Sequence, residues 1–280
     1  HNCYENLIFI GETTYGTPLY INRFFYEADF KIGIGMLSPH PYAGFSGGGK
    51  IVLPGISGME TIEANHKPVK KSLSGEIGKI EGNLRRAEID EAAKIAGLNF
   101  IINTINNSEG KTAAIFSGEP EKTFNVAGKY AGEIYGTKSC YGMDIGIFNA
   151  FPKDTEMLQA LNALNIWSTR DEKRSIVKKG GTIIIITAAS EGCGFHGLGD
   201  KGMRMYVRRD NHGSFKELFN NRDFAFVSPN LIEGDIYDHY PSQVKLFKDW
   251  ESCLDVLKGK FPEKARVAVY PCGPLQLEKS

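Results

Sequence analysis

The run of four isoleucines in "GTIIIITAA", at Gly181–Ala189, constrains the fold more than any other stretch of the sequence. An uninterrupted run of β-branched residues of this length is typical of a buried strand. It falls well short of the roughly 20 apolar residues that span a membrane, and no apolar run in the chain approaches that length. We therefore expect a strand at the centre of a globular α/β fold.

Helix and strand patterns alternate on both sides of this run, which predicts a parallel sheet with connecting helices. The predicted elements around it are a strand at Met143–Ala150, a helix at Asp154–Trp167 capped by Asp154, a helix at Arg170–Gly180, a helix at Ser214–Asn221, a strand at Asp223–Asn230, a helix at Gln243–Gly259 and a strand at Ala265–Pro271.

The first half of the chain contains the same kinds of element in a less regular order. The predicted elements are strands at Asn6–Glu12 and Phe30–Leu37, a helix starting near Pro18, a helix at Ser57–His66 capped by Ser57, a helix at Arg86–Leu98, a hairpin at Asn99–Gly118 and a helix at about Glu121–Tyr135. A new series begins after Gly136–Tyr141, so we predict an α/β fold in two parts with the division there.

Composition excludes several classes of partner and compartment. Lys+Arg and Asp+Glu both number 33, so the totals indicate no basic face for nucleic acid or for an anionic membrane. The five cysteines are scattered and never form a CxxC pair, which argues against a disulfide framework or a structural zinc site. No signal peptide is visible, and we expect a reducing, cytoplasmic location.

The loop "PHPYAGFSGGGK", Pro39–Lys50, places a histidine, a glycine run and a lysine directly after a predicted strand. Gly44–Ile51 nearly satisfies the phosphate-binding pattern G-x-x-x-x-G-K-[ST], but Ile51 replaces the hydroxyl residue that would hold magnesium. A lysine in such a loop can instead condense with an electrophilic cofactor carbon. The competing interpretation is an exposed lysine beside a tight turn, with the nearby histidines as ordinary loop or core residues.

The wider pattern resembles the nickel-dependent lactate racemase family. The resemblance runs through "GTPLYIN", "PHPYAGFSGGGKIVLPGISGMETIEANH", "FIIN", "FPKDTEMLQA", "KKGGTIIIITAASEGCG" and "RVAVYP", and thus spans nearly the whole chain. His40, Lys50 and His66 reproduce the family's spacing of histidine, lysine and histidine.

That resemblance implies a role for each of these three residues. Lys50 matches the lysine that holds a nickel pincer nucleotide, a nicotinate-derived mononucleotide with two sulfur donors, through a thioamide link. His66 matches the histidine that coordinates nickel, and imidazole suits that metal. His40 matches one of two proton-transfer residues in a reversible hydride transfer that inverts a 2-hydroxy acid. The glycines of the loop are then expected to let the backbone approach the cofactor closely.

The resemblance also implies the domain limits and a missing segment. Residues 1–138 are expected to be the C-terminal portion of the cofactor-binding N-terminal domain, and residues 139–262 a C-terminal α/β domain. Residues 263–280 are expected to return to the first domain, with the active site between the two domains. The family's second catalytic histidine and an Asp/Arg loop lie upstream of His1, so we expect an N-terminally truncated chain.

Two residues bear on the substrate. Gln159 matches a substrate-binding glutamine of the family, but Asn162 stands where lactate-specific members have a lysine. A lysine gives a substrate carboxylate a fixed charge, whereas asparagine offers only a neutral donor. The expected substrate is therefore a 2-hydroxy acid other than lactate, such as a sugar acid or a malate-like compound.

The predicted function is racemisation or epimerisation of this hydroxy acid. Accessory proteins make and load the cofactor, so a heterologous sample made without them can be empty. The alternative is a catalytically incomplete fragment or a non-catalytic homologue that binds a nucleotide-like ligand. A separate metal site at Glu191, Cys193 and His196 is less well supported than a glycine-rich loop that lines the cleft.

Overall fold

The computed structural model describes residues 1–66, 75–167, 172–195, 218–219 and 221–279. The chain divides into two compact units, His1–Gly136 and Thr137–Ser280. The predicted α/β class is confirmed, since both units combine helices and strands. Within the described ranges, no helix is long and apolar enough to cross a membrane.

The first unit is built from short sheets packed with helices. Its strands are β1 (Leu7–Glu12), β2 (Pro18–Asn22), β3 (Ile32–Leu37), β4 (Pro39–His40), β5 (Gly44–Phe45), β6 (Phe100–Asn106) and β7 (Thr112–Gly118), and its helices are α1 (Arg23–Glu27), α2 (Met59–His66), α3 (Leu84–Ile95) and α4 (Pro120–Tyr135). β3 pairs in parallel with β6, and β6 pairs antiparallel with β7, so the predicted hairpin is confirmed. β3 leads directly into the predicted cofactor loop.

Local sequence sets the ends of the two longer helices. The side chain of Asn83 accepts a hydrogen bond from the Arg86 N–H and caps α3, which ends just before Gly97 at a φ of +76°. The side chain of Glu119 accepts from two N–H groups of α4, and Pro120 occupies its first turn. Both helices lie close to their predicted positions.

Two predictions near the N-terminus are wrong in detail. The segment that begins at Pro18 is strand β2, in which Leu19 and Ile21 are fully buried, so its apolar residues follow the two-residue period of a strand. The Ser57 hydroxyl donates to the carbonyl of Val52 rather than capping α2.

A five-stranded parallel sheet in the order β12-β11-β10-β9-β13 organises the second unit. The elements of this unit are β8 (Gly136–Thr137), β9 (Met143–Asn149), α5 (Met157–Ala160), β10 (Val177–Ile186), β11 (Asp223–Val227), α6 (Glu233–His239), β12 (Lys245–Phe247), α7 (Trp250–Lys260), β13 (Val267–Tyr270) and β14 (Leu277–Glu278). Ile183, Ile184 and Ile185 are completely buried in β10, which confirms the central strand predicted from the isoleucine run.

Three predicted helices of this unit differ from the structure. Asp154–Trp167 is not one helix, because the short α5 gives way to a 3-10 helix over Leu161–Ile166 and Asp154 is not its cap. The segment 243–259 supplies strand β12 before α7 begins. Within 170–180, Val177 already pairs with Met143 in the sheet, and residues 168–171 lie outside the described ranges. The predicted helix Ser214–Asn221 falls mostly outside them as well.

The described part of residues 263–280 belongs to the second unit, and its expected return to the first domain stays a prediction. Val267–Tyr270 forms β13, which pairs in parallel with β9 at the edge of the C-terminal sheet. Ala268 and Tyr270 are buried in the core of that unit. The backbone hydrogen bonds of β13 and its buried side chains therefore hold this segment in the second unit.

We expect Phe148→Ala to destabilise the second unit by about 3–5 kcal/mol. The Phe148 ring is fully buried and stacks between Trp167 and Tyr270. Phe195→Ala removes an exposed ring and is the control, with an expected effect below about 0.5 kcal/mol. Denaturant unfolding followed by tryptophan fluorescence measures both, since the two tryptophans, Trp167 and Trp250, lie in this unit. Equal losses would contradict the described packing.

Candidate functional site

A 3-10 helix at Gly48–Ile51 carries Lys50 and follows β5. Gly47 and Gly48 have φ angles of +77° and +55°, a conformation that side chains disfavour. A Cβ on Gly48 would lie 2.5 Å from both the Arg86 guanidinium and the Phe124 ring. On the Cβ side these glycines therefore admit protein side chains, and the expected close approach of the loop backbone to a cofactor stays a prediction.

Asn103, on β6, also holds this loop. Its side-chain oxygen accepts a hydrogen bond of 2.9 Å from the Gly48 N–H, and the residue is completely buried. Its side-chain nitrogen has no hydrogen-bond partner among the described residues. An unsatisfied buried donor costs stability. Because its oxygen holds Gly48, Asn103 is a residue of the site that sequence reasoning missed. Its position on a strand adjacent to β3 was the available signal.

The structure brings His40 and Lys50 together. His40 Nε2 lies 3.3 Å from Lys50 Nζ. His40 Nδ1 accepts hydrogen bonds from the backbone N–H groups of Tyr42 and Ala43, at 3.2 and 3.1 Å. A neutral imidazole with an accepting Nδ1 carries its proton on Nε2. The Nε2–H group then donates to Lys50, whose amine can accept only through an unprotonated lone pair.

This tautomer sets a condition on proton transfer by His40. A neutral imidazole that takes a proton at Nε2 must carry its existing proton on Nδ1. In the structure, the N–H groups of Tyr42 and Ala43 occupy Nδ1. The ring must therefore leave these two donors before Nε2 can act as a base.

His66 is the last residue of α2, and its ring is held from within that helix. Its Nδ1 lies 2.8 Å from the carbonyl oxygen of Ile62, so Nδ1–H donates and Nε2 is the ring nitrogen that carries the lone pair. Histidine ligands commonly use this arrangement, because the second hydrogen bond fixes the tautomer and the ring orientation. The donor chemistry of His66 thus fits a single imidazole ligand.

Gln159 and Asn162 lie in the second unit, on α5 and on the 3-10 helix that follows it. The Asn162 side-chain nitrogen donates to the side-chain oxygen of Gln159 at 3.0 Å and to its carbonyl at 2.8 Å. Both residues follow β9. The strands that come next in the chain, β10 to β12, lie on one side of β9, whereas β13 lies on its other side, so the strand order reverses there. Ligands of open parallel sheets commonly bind at the carboxyl ends of strands at such a reversal. Their substrate-binding role stays a prediction.

Lys153 is a partly buried lysine that the sequence analysis does not single out. It lies between β9 and α5, just after the Phe151-Pro152 pair. Desolvation by the surrounding protein lowers the pKa of the Lys153 amine to about 8. The signal available in the sequence was a lysine directly after the end of a buried strand.

The alternative metal site receives no structural test, because His196 lies outside the described residues. Within the part of the chain that the structure describes, no group of three or more His, Cys, Asp or Glu side chains is arranged to hold a metal ion.

The fold and the site together define a two-unit α/β protein with a paired lysine and histidine on a glycine loop. A sequence profile described as "Lactate racemase N-terminal domain" matches residues 1–78, which include His40, Lys50 and His66. The chain is 34% identical over 197 residues to the lactate racemase of Thermoanaerobacterium thermosaccharolyticum, covering 69% of this chain and 45% of that protein. It is 32% identical over 290 residues to the lactate racemase of Lactiplantibacillus plantarum, covering 96% of this chain and 66% of that protein. The chain belongs to the lactate racemase family.

Solved structures share the fold. The lactate racemase apoprotein from T. thermosaccharolyticum superposes with a TM-score of 0.75 at 24% identity, covering 100% of this chain and 70% of that one. A crystal structure of a Thermotoga maritima protein gives a TM-score of 0.65 at 17% identity, covering 99% and 77%. The chain spans 45% and 66% of the length of the two curated relatives.

We expect Lys153→Met to stabilise the second unit at neutral pH. A lysine pKa near 8 in the folded protein, against 10.5 as its ordinary value, means that the unfolded chain binds more protons between those pH values. The stability of the wild type should therefore rise from pH 8 to pH 10.5, and the advantage of the variant should shrink over that window.

Unfolding free energies at pH 7 and pH 10, measured by denaturant titration, test this. Lys264→Met, at an exposed position of the same unit, is the control and should show no such pH-dependent difference. A constant difference between Lys153→Met and wild type would contradict the lowered pKa.

Proposed function

We propose that the protein racemises or epimerises a 2-hydroxy acid with a nickel pincer nucleotide that is covalently tethered at Lys50. The observation that carries this proposal is the contact of 3.3 Å between Lys50 Nζ and His40 Nε2, to which the tautomer inferred from the Tyr42 and Ala43 N–H groups gives the amine as acceptor. An amine with an available lone pair is what condensation with an electrophilic carbon requires. The membership of the chain in the lactate racemase family supports the same chemistry.

Two residues would hold the cofactor. Lys50 would form the thioamide link, and His66 would bind nickel through Nε2, because its Nδ1–H is committed to the carbonyl of Ile62. When bound, the pincer nucleotide supplies the acceptor for the hydride of the substrate. The surrounding chain has to keep both side chains oriented and to manage the hydroxyl proton.

His40 would exchange that hydroxyl proton. Once Lys50 is acylated, its nitrogen no longer offers the basic lone pair to which Nε2–H donates. This removes a contact that favours the described tautomer, so release of Nδ1 from the Tyr42 and Ala43 N–H groups becomes easier. His40 would then take the proton at Nε2 in one direction of the reaction and return it in the other.

Asn162 and Gln159 would contact the substrate, and Asn162 would set its class. The amide of Asn162 already donates to Gln159, so the pair presents neutral polar groups where a family lysine would present a charge. We propose a sugar acid or malate-like hydroxy acid rather than lactate. Accessory proteins of cofactor synthesis would be the protein partners, with no nucleic-acid or membrane partner.

Co-expression of the full-length protein with the cofactor-assembly enzymes tests the tether. We expect intact mass spectrometry to show an added mass on the wild type and on Lys79→Arg, but not on Lys50→Arg. Arginine keeps a long basic side chain, but its guanidinium is not a nucleophile. His66→Ala should keep the added mass and lose bound nickel. An unmodified wild type without nickel would contradict the proposal, whereas loading without turnover of any hydroxy acid would favour a non-catalytic homologue.

We expect Asn162→Lys to raise the activity on lactate relative to other hydroxy acids by about tenfold, because it adds a charged partner for a small carboxylate. Asn125→Lys, at an exposed position of α4, is the matched control and should leave the preference unchanged. Racemisation rates across a panel of hydroxy acids measure the ratio. Lactate as the best substrate of the wild type would overturn the inferred preference.

A further inference from the structure

Helix α3 contacts both chain segments that carry the proposed cofactor ligands. One group of its side chains binds the glycine loop before Lys50, and a second group binds the residue before His66. Both groups contain a charged side chain that is almost completely buried, since Arg86 and Glu88 are each 1% exposed.

Arg86 holds the loop that carries Lys50. Its guanidinium donates to the carbonyl of Gly47 from Nη1 and Nη2, both at 3.3 Å, and to the carbonyl of Phe45 at 3.4 Å. The same Gly47 carbonyl accepts the Lys50 N–H at 3.2 Å, so Arg86 binds the group that starts the 3-10 helix. Asp90 pairs with Arg86 at 2.8 Å and fixes the direction of the guanidinium.

The loop also lies directly against α3. A Cβ on Gly49 would come within 2.9 Å of the Asp90 carboxylate and of the Ile89 carbonyl. The ring of Phe124 covers the guanidinium from the other side, with its centroid 3.5 Å from the Arg86 Cζ. No side chain larger than glycine fits at this contact without a shift. The position of α3 therefore fixes the backbone at Gly49, the residue before Lys50.

Glu88 holds the end of α2. One carboxylate oxygen accepts a hydrogen bond of 2.8 Å from the side chain of Asn65, the residue before His66. The other oxygen accepts from the hydroxyls of Thr13 and Thr17. Arg85 donates to the carbonyl of Asn65, so α3 binds both the side chain and the backbone of that residue.

We propose that α3 sets the position of Lys50 relative to His66, with Arg86 and Glu88 as separate positioning residues for the tether and for the nickel ligand. This inference rests on the proposed function. Buried charged groups are weak evidence for stability, because apolar residues of similar volume often serve as well. Holding two ligands at a fixed separation is a role that apolar packing performs less specifically, since it lacks directional hydrogen bonds.

Two conservative substitutions separate the two positions. Arg86→Lys keeps the charge but loses the fork that reaches both Gly47 and Asp90. Glu88→Gln keeps the shape but removes the charge, so a neutral amide oxygen accepts a weaker hydrogen bond from Asn65. Asn65→Ala removes the partner of Glu88 and should reproduce its effect. Ile105→Val, at a fully buried position of β6, is a control for lost stability alone.

The readouts are the tethered fraction, from intact mass, and the nickel bound per tethered chain, from metal analysis, after co-expression of the full-length protein with the assembly enzymes. We expect Arg86→Lys to lower the tethered fraction about fivefold and leave nickel per tethered chain unchanged. We expect Glu88→Gln and Asn65→Ala to leave the tethered fraction unchanged and lower nickel per tethered chain about fivefold.

Calorimetry of the unloaded variants shows whether each one is folded. If Arg86→Lys is unfolded when unloaded, Asp90→Asn replaces it with the same expectation. If Glu88→Gln is unfolded, Asn65→Ala alone tests the second position. The inference would be overturned if all variants carried as much cofactor and nickel as Ile105→Val does. It would also be overturned if every variant lost the tethered fraction and the nickel per tethered chain to the same extent. An untethered wild type would instead refute the proposed function, so the two failures are distinguishable.

Discussion

The carbonyl of Gly47 is the point on which the site depends. It accepts the N–H of Lys50, which begins the 3-10 helix, and it accepts the guanidinium of Arg86 from α3. Burial lowers the pKa of Arg86, while the Coulombic attraction and hydrogen bond of Asp90 oppose that shift and favour the charged form. The charged hydrogen bonds from Arg86 to the Gly47 carbonyl therefore hold the backbone at Lys50 without any contribution from a cofactor.

The second constraint is the direction of the hydrogen bond between His40 and Lys50. Two backbone N–H groups determine the tautomer of His40, and the tautomer in turn determines which partner donates. The described arrangement suits attack by the Lys50 amine, while proton exchange at His40 requires a different ring state. Tethering thus uses His40 with its proton on Nε2, whereas proton transfer requires the proton on Nδ1.

Strong local patterns predicted most of the fold. The isoleucine run of β10 and the helical patterns of α3 and α4 indicated these elements within a few residues, whereas the two N-caps predicted from the sequence, Ser57 and Asp154, are not caps in the structure. The region after Pro18 and the segment 243–259 were assigned to helices, since short apolar runs fit both periods until strand partners are known. The place of residues 263–280 depended on pairing with β9, which no local pattern encodes.

The resemblance to the lactate racemase family supplied His40, Lys50 and His66, and the structure added the side chains that hold their loops. Buried partners such as Asn103, Arg86 and Glu88 are distant in sequence from the loops they hold, so only the fold identifies them. The desolvation of Lys153 likewise depends on its surroundings and not on its neighbours in the chain.

A crystal structure of the loaded full-length protein, with anomalous data collected at the nickel absorption edge, tests the central claim most directly. We predict an anomalous peak within bonding distance of His66 Nε2 and continuous electron density from Lys50 Nζ to the cofactor. A free Lys50 amine beside a bound cofactor, or nickel that is remote from His66, would contradict the account.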